Sequence, residues 1–266
     1  LSLVDLEGVP LAVLNVEEVW LLPEPSPNNP TLCGIDGPPQ TGRRSSSEGA
    51  GTMLLGGTIT GLELPVRYDF SELRISRRAL AHRYSNLGWR RILGFIPDDL
   101  LHRTEVEASL RRAEELDAGL VIAPIAGPVG VDEHYYYTRL RCLEHVSRKL
   151  PPKRALMRLV ELFERGDPDR RMLVRLQILR NLGCTHALVI PSGLSDMVSR
   201  HASELGIELI PFAPETPGSA TELCEQLQKG LSVSDGITYP EVLRELRRCY
   251  PGPKEQGYTV FFTGLS

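Results

Sequence analysis

The chain has 266 residues, enough for about two domains of ordinary size, which excludes a single small disulfide-stapled module. Hydrophobic residues make up 41% and charged residues 24%, the balance of a folded protein rather than a disordered one. Lys plus Arg number 30 against 34 Asp plus Glu, a formal charge of −4 without the basic excess that neutralising many phosphates demands, so bulk nucleic-acid binding is excluded.

No apolar run reaches the ~18 residues of a membrane helix. The first residues also lack a basic segment followed by an apolar one. The expectation is a cytoplasmic protein with neither a membrane nor a nucleic-acid partner. Five cysteines (Cys33, Cys142, Cys184, Cys224, Cys249) are odd in number and never spaced as C-x-x-C, so they read as reduced thiols rather than a disulfide framework or zinc site. With 24 glycines and 21 prolines the chain is expected to be rich in turns and long connections.

In chain order, Leu11–Leu14 and Val16–Leu22 are short apolar runs with β-branched content, closed by a Pro/Asn-rich turn at 23–30. Residues 34–51 are Gly, Pro, Ser and Arg with few apolar side chains, an exposed loop. Met53–Leu55 and Thr58–Leu64 resume the strand pattern. Ser76 is placed to cap a helix that ends near Gly88. Arg91–Ile96 then reads as a buried strand, Glu105–Leu116 as a helix through Val106, Leu110 and Ala113, and Gly119–Ile125 as a second strand, a βαβ unit that implies a parallel sheet.

Helices are predicted at Tyr135–Leu150, Leu156–Phe163 and Arg170–Leu182, and a third strand at Thr185–Ile190. Glu208–Ile210 reads as a strand, Ala220–Lys229 as a helix closed by Gly230, and Pro240–Cys249 as a helix with proline in its first turn. After the proline-rich 250–257, Val260-Phe-Phe262 reads as a strand running into Thr263-Gly264-Leu265-Ser266, the start of a phosphate-binding loop. The overall class is α/β with an N-terminal β-rich domain.

The segments Tyr239-Pro-Glu-Val-Leu-Arg-Glu-Leu-Arg-Arg-Cys-Tyr-Pro251 and Gln256-Gly-Tyr-Thr-Val-Phe-Phe-Thr-Gly-Leu-Ser266 resemble the junction of bifunctional sulfate-activating proteins. In those, an ATP sulfurylase (sulfate adenylyltransferase) region leads into an adenylylsulfate kinase domain. Leu3–Ala12, Gly57–Phe70 and Asn181-Leu-Gly-Cys-Thr-His186 resemble further passages of the ATP sulfurylase family, in the same order. The resemblance implies a PUA-like β domain at 1–85, a Rossmann-like nucleotidyltransferase domain at 86–210 and a small C-terminal α/β domain at 211–253. It also implies a linker with the start of a kinase at 254–266, where Gly264, Leu265 and Ser266 open the P-loop. It implies a homo-oligomer, dimer or hexamer, with the kinase domain as partner. No cofactor is expected in this region, whereas the kinase would take ATP and Mg.

The site motifs depart from the family. Its first motif, Q-x-R-N-P-x-H-x-x-H, falls on Ile96-Pro-Asp98-Asp99-Leu-Leu-His102-Arg-Thr-Glu105, so that only the first histidine remains. Asp98 stands for the anion-binding arginine, Asp99 for the asparagine and Glu105 for the second histidine. Replacing a cation by an anion inverts the interaction with a dianion, by about 4 kcal/mol per charge pair at 4 Å and an effective dielectric of 20. The second motif, G-R-D-H-A-G, falls on Ile190-Pro191-Ser192-Gly193-Leu-Ser195, which keeps none of its charged groups. The third falls on residues 164–172, where Arg165 and Arg170 match and the turn between them does not.

His102, Arg165 and Arg170 are thus the candidate residual nucleotide contacts. His186 reads as a satisfied structural histidine and His102 as a solvated or helix-capping one. Arg139 and Arg141 read as a solvated helix face, and Tyr135-Tyr-Tyr137 as a packing or interface feature. His82, His134, His145 and His201 lack partners at ligand spacing, so no metal site is expected. Three functions follow: a catalytically degenerate scaffold for the kinase, an active adenylyltransferase built on His102, Arg165 and Arg170, or a regulatory module that retains ATP or adenylylsulfate.

Overall fold

The computed structural model describes residues 1–5, 8–21, 53–62, 68–126, 133–162, 168–190, 195–213, 220–233 and 236–257. The chain divides into two compact units, Leu1–Asp69 and Phe70–Ser266.

The first unit is a three-stranded antiparallel sheet, β1 (Ser2–Val4), β2 (Pro10–Leu21) and β3 (Met53–Gly61), in that order. The two runs expected at 11–14 and 16–22 are one strand. A bulge between Val16 and Glu18 joins them, and it places Val16 opposite Gly57 and Val19 opposite Leu55 on one face of the sheet. Without the extra residue, side chains three apart would point to opposite faces. The 34–51 loop of the sequence reading lies outside the described residues.

The second unit opens with a 3₁₀ turn at Ser71–Leu73 and helix α1 (Arg77–Asn86), capped by the Ser76 hydroxyl, which accepts from the Ala79 N–H. Gly88, at φ +70°, supplies the left-handed turn after it. Leu80 and Tyr84 of α1 lie in the core of this unit.

The following elements alternate: β4 (Ile92–Phe95), α2 (Arg103–Glu115), β5 (Gly119–Ile122), β6 (Ile125–Ala126), α3 (Glu133–Ser147), β7 (Ala155–Met157), β8 (Val160–Glu161), α4 (Pro168–Asn181), β9 (His186–Val189), α5 (Asp196–Leu205) and β10 (Glu208–Pro211). The sheet is five-stranded and parallel throughout, in the order β10-β9-β4-β5-β7. This is the mixed α/β, Rossmann-like architecture expected from the βαβ pattern.

Two sequence readings are corrected. Of the helix expected at 156–163, the described residues 156–162 form none: Ala155–Met157 pairs with Leu120–Ile122, and Val160 and Glu161 pair with Ile125 and Ala126. Leu156, Leu159, Val160 and Phe163 are spaced as on a helix, yet a short buried strand gives the same apolar density. The expected strand at 119–125 breaks after Ile122, where Pro124 has no N–H to give a ladder. The strand expected at 208–210 is the edge strand of the main sheet.

Side chains alternate across the sheet. Leu93, Phe95, Leu120 and Ile122 face a core shared with Val106 of α2 and Leu140 and Leu143 of α3, while Ile92, Val121, Ala187 and Val189 face Leu176 of α4 and Val198 of α5. Gly94 permits the close approach of α4, because a Cβ there would lie 2.6 Å from Leu179 Cδ2 and 2.9 Å from Cys184 Sγ. Helices α6 (Ala220–Gln228) and α7 (Pro240–Cys249) complete the unit. Leu223, Val242 and Leu246 share the core of α2 and α3. No helix among the described residues is long and apolar enough to cross a membrane.

Candidate functional site

Strand order reverses at β4. The chain moves from β4 to β5 and β7 with α2 and α3 on one face, then returns to β9 and β10 on the other side of β4 with α4 and α5 on the opposite face. The carboxyl ends of β4 and β9 therefore flank the switch point, where open parallel sheets bind ligands. The segment after β4 carries the first motif. Of the second motif, Pro191, Ser192 and Gly193 lie outside the described residues, as do Arg165 and the P-loop positions Gly264, Leu265 and Ser266.

The loop 96–102 is anchored by apolar side chains and presents acids between them. Ile96 is buried against the α4 side of the sheet with Val121 and Ala123, and Leu100 and Leu101 are buried on the other side. Between these anchors Asp98 turns outward and pairs with Arg175 of α4 at 2.5 Å. Asp99 is held from α3: the Tyr135 hydroxyl donates to both of its carboxylate oxygens, at 2.7 and 2.8 Å. The Arg139 guanidinium spans the loop, donating to the Asp99 backbone carbonyl at 3.0 Å and to the Ile125 carbonyl at 2.7 Å, with its Nε 3.2 Å from Asp99 Oδ1. Tyr135 and Arg139 stand four apart, on one face of α3.

His102 takes the N-cap position of α2 and is buried, not solvated. Its backbone N–H donates to Glu105 Oε2 at 2.8 Å, the reciprocal half of a capping box. The ring Nδ1 is buried without a hydrogen-bond partner, and burial holds the imidazole below its ordinary value of 6.5, favouring the neutral ring. Burial likewise pushes the Glu105 carboxyl up to about 7, despite its bond from His102 N–H and with a smaller push from the Asp98 charge. Glu105, which stands for a family histidine, is thus a helix cap.

Arg170 is exposed on the first turn of α4. Arg175, which no motif singled out, reaches the loop instead. His186 is satisfied as expected: Nδ1 lies 2.7 Å from Thr185 Oγ1 and Nε2 3.2 Å from Glu208 Oε2. The reading of Arg139 and Arg141 as a solvated face is corrected. Arg139 is 12% exposed and braces the loop, and Arg141 pairs with the buried Glu245 of α7 at 2.9 Å. The tyrosines pack, Tyr135 edge-on to Tyr250 and Tyr136 to Tyr137. Among the described residues no group of His, Cys, Asp and Glu is placed to hold a metal ion. Cys142, Cys184 and Cys224 are free and buried; burial pushes the first two thiols up to about 12 and the third to about 11, the state of inert rather than nucleophilic sulfur.

A family model described as ATP-sulfurylase matches residues 71–216, which include the whole parallel sheet and the first-motif loop. The sulfate adenylyltransferase of Mycosarcoma maydis is 28% identical over 249 residues, covering 79% of this chain and 43% of its own length. That of Gibberella zeae is 27% identical and covers 96% of this chain and 51% of its own. The chain thus spans about half the length of the curated relatives it matches. Among solved structures, one titled as the hexameric APS kinase from Thiobacillus denitrificans matches with a TM-score of 0.75 and 26% identity, over 99% of this chain and 52% of that one. With the matched model spanning more than half of its residues, this chain belongs to the ATP-sulfurylase family.

Proposed function

We propose that the chain is the ATP sulfurylase-like region of a cytoplasmic sulfate-activating protein, that it no longer makes adenylylsulfate, and that it serves as a scaffold. The domain it would carry is an adenylylsulfate kinase, with ATP and Mg as that domain's requirements, in a homo-oligomeric assembly. In this reading the N-terminal sheet belongs to a PUA-like domain. The relatives that cover most of this chain are named for sulfate adenylyltransferase activity, and a structural neighbour is titled as an APS kinase and as hexameric.

One observation carries the loss of activity. At the carboxyl end of β4, where the family binds anions, the loop presents Asp98 and Asp99, and each is paired with an arginine of the surrounding helices. Stabilising an adenylyl-transfer transition state requires several cations and N–H donors aimed at developing negative charge. Here Arg139 is committed to the backbone carbonyls of Asp99 and Ile125, and Arg175 pairs with the loop's own Asp98 carboxylate.

The test is turnover in both directions by the full chain: pyrophosphate release from ATP and sulfate, and ATP formation from adenylylsulfate and pyrophosphate. Rates at background are expected. Turnover in either direction that falls on His102→Ala would overturn the reading in favour of an active adenylyltransferase.

A further inference from the structure

We infer that the outer face of α1 is a docking surface for an acidic polypeptide segment, with Arg77, Arg78, Arg83 and the following Arg90 as the cations that take its carboxylates. This surface is separate from the loop after β4 and does not depend on whether adenylyl transfer occurs.

From Leu73 to Pro97 the sequence holds six arginines and no Asp, Glu or Lys. Two of the six are engaged: Arg74 pairs with Glu161 at 2.6 Å, and Arg91 donates to the Leu116 carbonyl at 3.1 Å. Arg77, Arg78, Arg83 and Arg90 are exposed, and among the described residues no acid pairs with any of them. Other helices of the unit pair exposed arginines within themselves: Arg103 with Glu107 on α2, Arg148 with Glu144 on α3 and Arg248 with Glu245 on α7.

Two of these cations also work against the helix that carries them. α1 has no acid in its first turn, and Arg77 and Arg78 directly follow the Ser76 cap. The free N–H groups at that end give it partial positive charge, so cations there are unfavourable. Helices α2, α4, α5, α6 and α7 each place an acid in the first turn instead. What holds α1 is its inner face: Leu80 and Tyr84 are buried, and the Tyr84 hydroxyl donates to the Leu182 carbonyl at 3.1 Å while its ring stacks on Trp89. A row of cations that local stability disfavours, and that no described acid neutralises, is complementary to an anion from outside.

The partner's chemistry follows from the size and kind of the patch. All four cations are arginines, whose planar forks take carboxylates through paired hydrogen bonds. Nucleic acid would need a longer basic track, whereas α1 has 10 residues, about 15 Å of helix, on a chain of net charge −4. An acidic segment of similar length matches it.

The test is the fluorescence anisotropy of a labelled oligoglutamate peptide titrated with the full chain at low and at physiological salt. Wild type is expected to bind at low salt and to weaken as salt rises. Arg77→Glu/Arg78→Glu is expected to bind at least tenfold more weakly while melting no lower than wild type, because acids suit the first turn. Arg111→Glu/Arg244→Glu, the same change of net charge at exposed positions of α2 and α7, is expected to retain binding. Should Arg77→Glu/Arg78→Glu melt lower than wild type, Arg77→Gln/Arg78→Gln removes the charges without reversing them and is expected to show the same loss. No binding by wild type at low salt, unchanged binding by the α1 variants, or an equal loss in the control variant overturns the inference. So does tighter binding of a single-stranded oligonucleotide of the same net charge, which would make the partner a nucleic acid.

Discussion

Asp98 and Glu245 each pair with an arginine from a neighbouring helix, Asp98 with Arg175 of α4 and Glu245 with Arg141 of α3, yet their side chains are 70% and 7% exposed. Glu245 lies in the seam between α3 and α7. It also accepts from Arg248 at 2.8 Å and has His145 at 3.8 Å, while Val242 and Leu246 of its helix are buried in the core with Leu143. There the acid is buried and its cations reach water, Arg141 at 42% and Arg248 at 75% exposure. At the switch point the arrangement is reversed, with the cation inside and the acid outside. The buried member of an ion pair is the one whose partner must be present, because desolvation is the larger cost. The α3–α7 pair is accordingly anchored by its buried acid, and the Asp98–Arg175 pair by its buried cation.

The comparison breaks first at Glu245. Glu245→Ala removes the acceptor that Arg141 and Arg248 share and opens a gap against α3, so a loss of about 3 kcal/mol is expected in urea unfolding. A loss below about 1 kcal/mol would mean that the seam is held by its apolar contacts alone.

Glu105 supplies an intermediate effect with a pH signature. Its carboxyl titrates near 7 when folded against an ordinary 4.5, so between these values the folded state holds a proton that the unfolded state has released. Stability therefore falls as pH rises through this window, and is lowest in that respect above pH 7. Glu105→Gln, which keeps an acceptor for the His102 N–H, should raise stability at pH 8 by about 2 kcal/mol and leave it little changed at pH 4.5. The neighbouring His102, held below 6.5, has the opposite slope: its stabilising neutral form is lost as pH falls. The variant should keep that acid-side loss, which thermal melts from pH 4 to 8 would display.

The smallest effect is expected at Asp98. Asp98→Asn should lower unfolding free energy by about 1 kcal/mol, because water reaches the Asp98 carboxylate but leaves the Arg175 side chain only 15% exposed. A loss as large as that at Glu245 would erase the distinction between the two pairs.

Much of the α/β unit was legible because its signals are local. Ser76 before α1, Gly88 after it, Pro240 at the first turn of α7 and Gly230 beyond α6 each encode a cap or stop in a few residues. The run 156–163 was not, because three- and two-residue strands carry no period of their own and only their partners at 120–122 and 125–126 make them strands. In the site, the acids of the loop were readable from the motif positions. Their partners were not: Tyr135, Arg139 and Arg175 lie 36, 40 and 77 residues away in sequence.

By itself the sequence determined the family, the alternation of strands and helices, and the inversion of charge at positions 98 and 99. These follow from residue identity and short spacings, which do not depend on what else the chain touches. Only the tertiary structure decided which cations meet those acids and which partner of each pair is buried. That outcome depends on the order in which strands pair, since the return of the chain from β7 across to β9 sets α4, with Arg175, beside the end of β4.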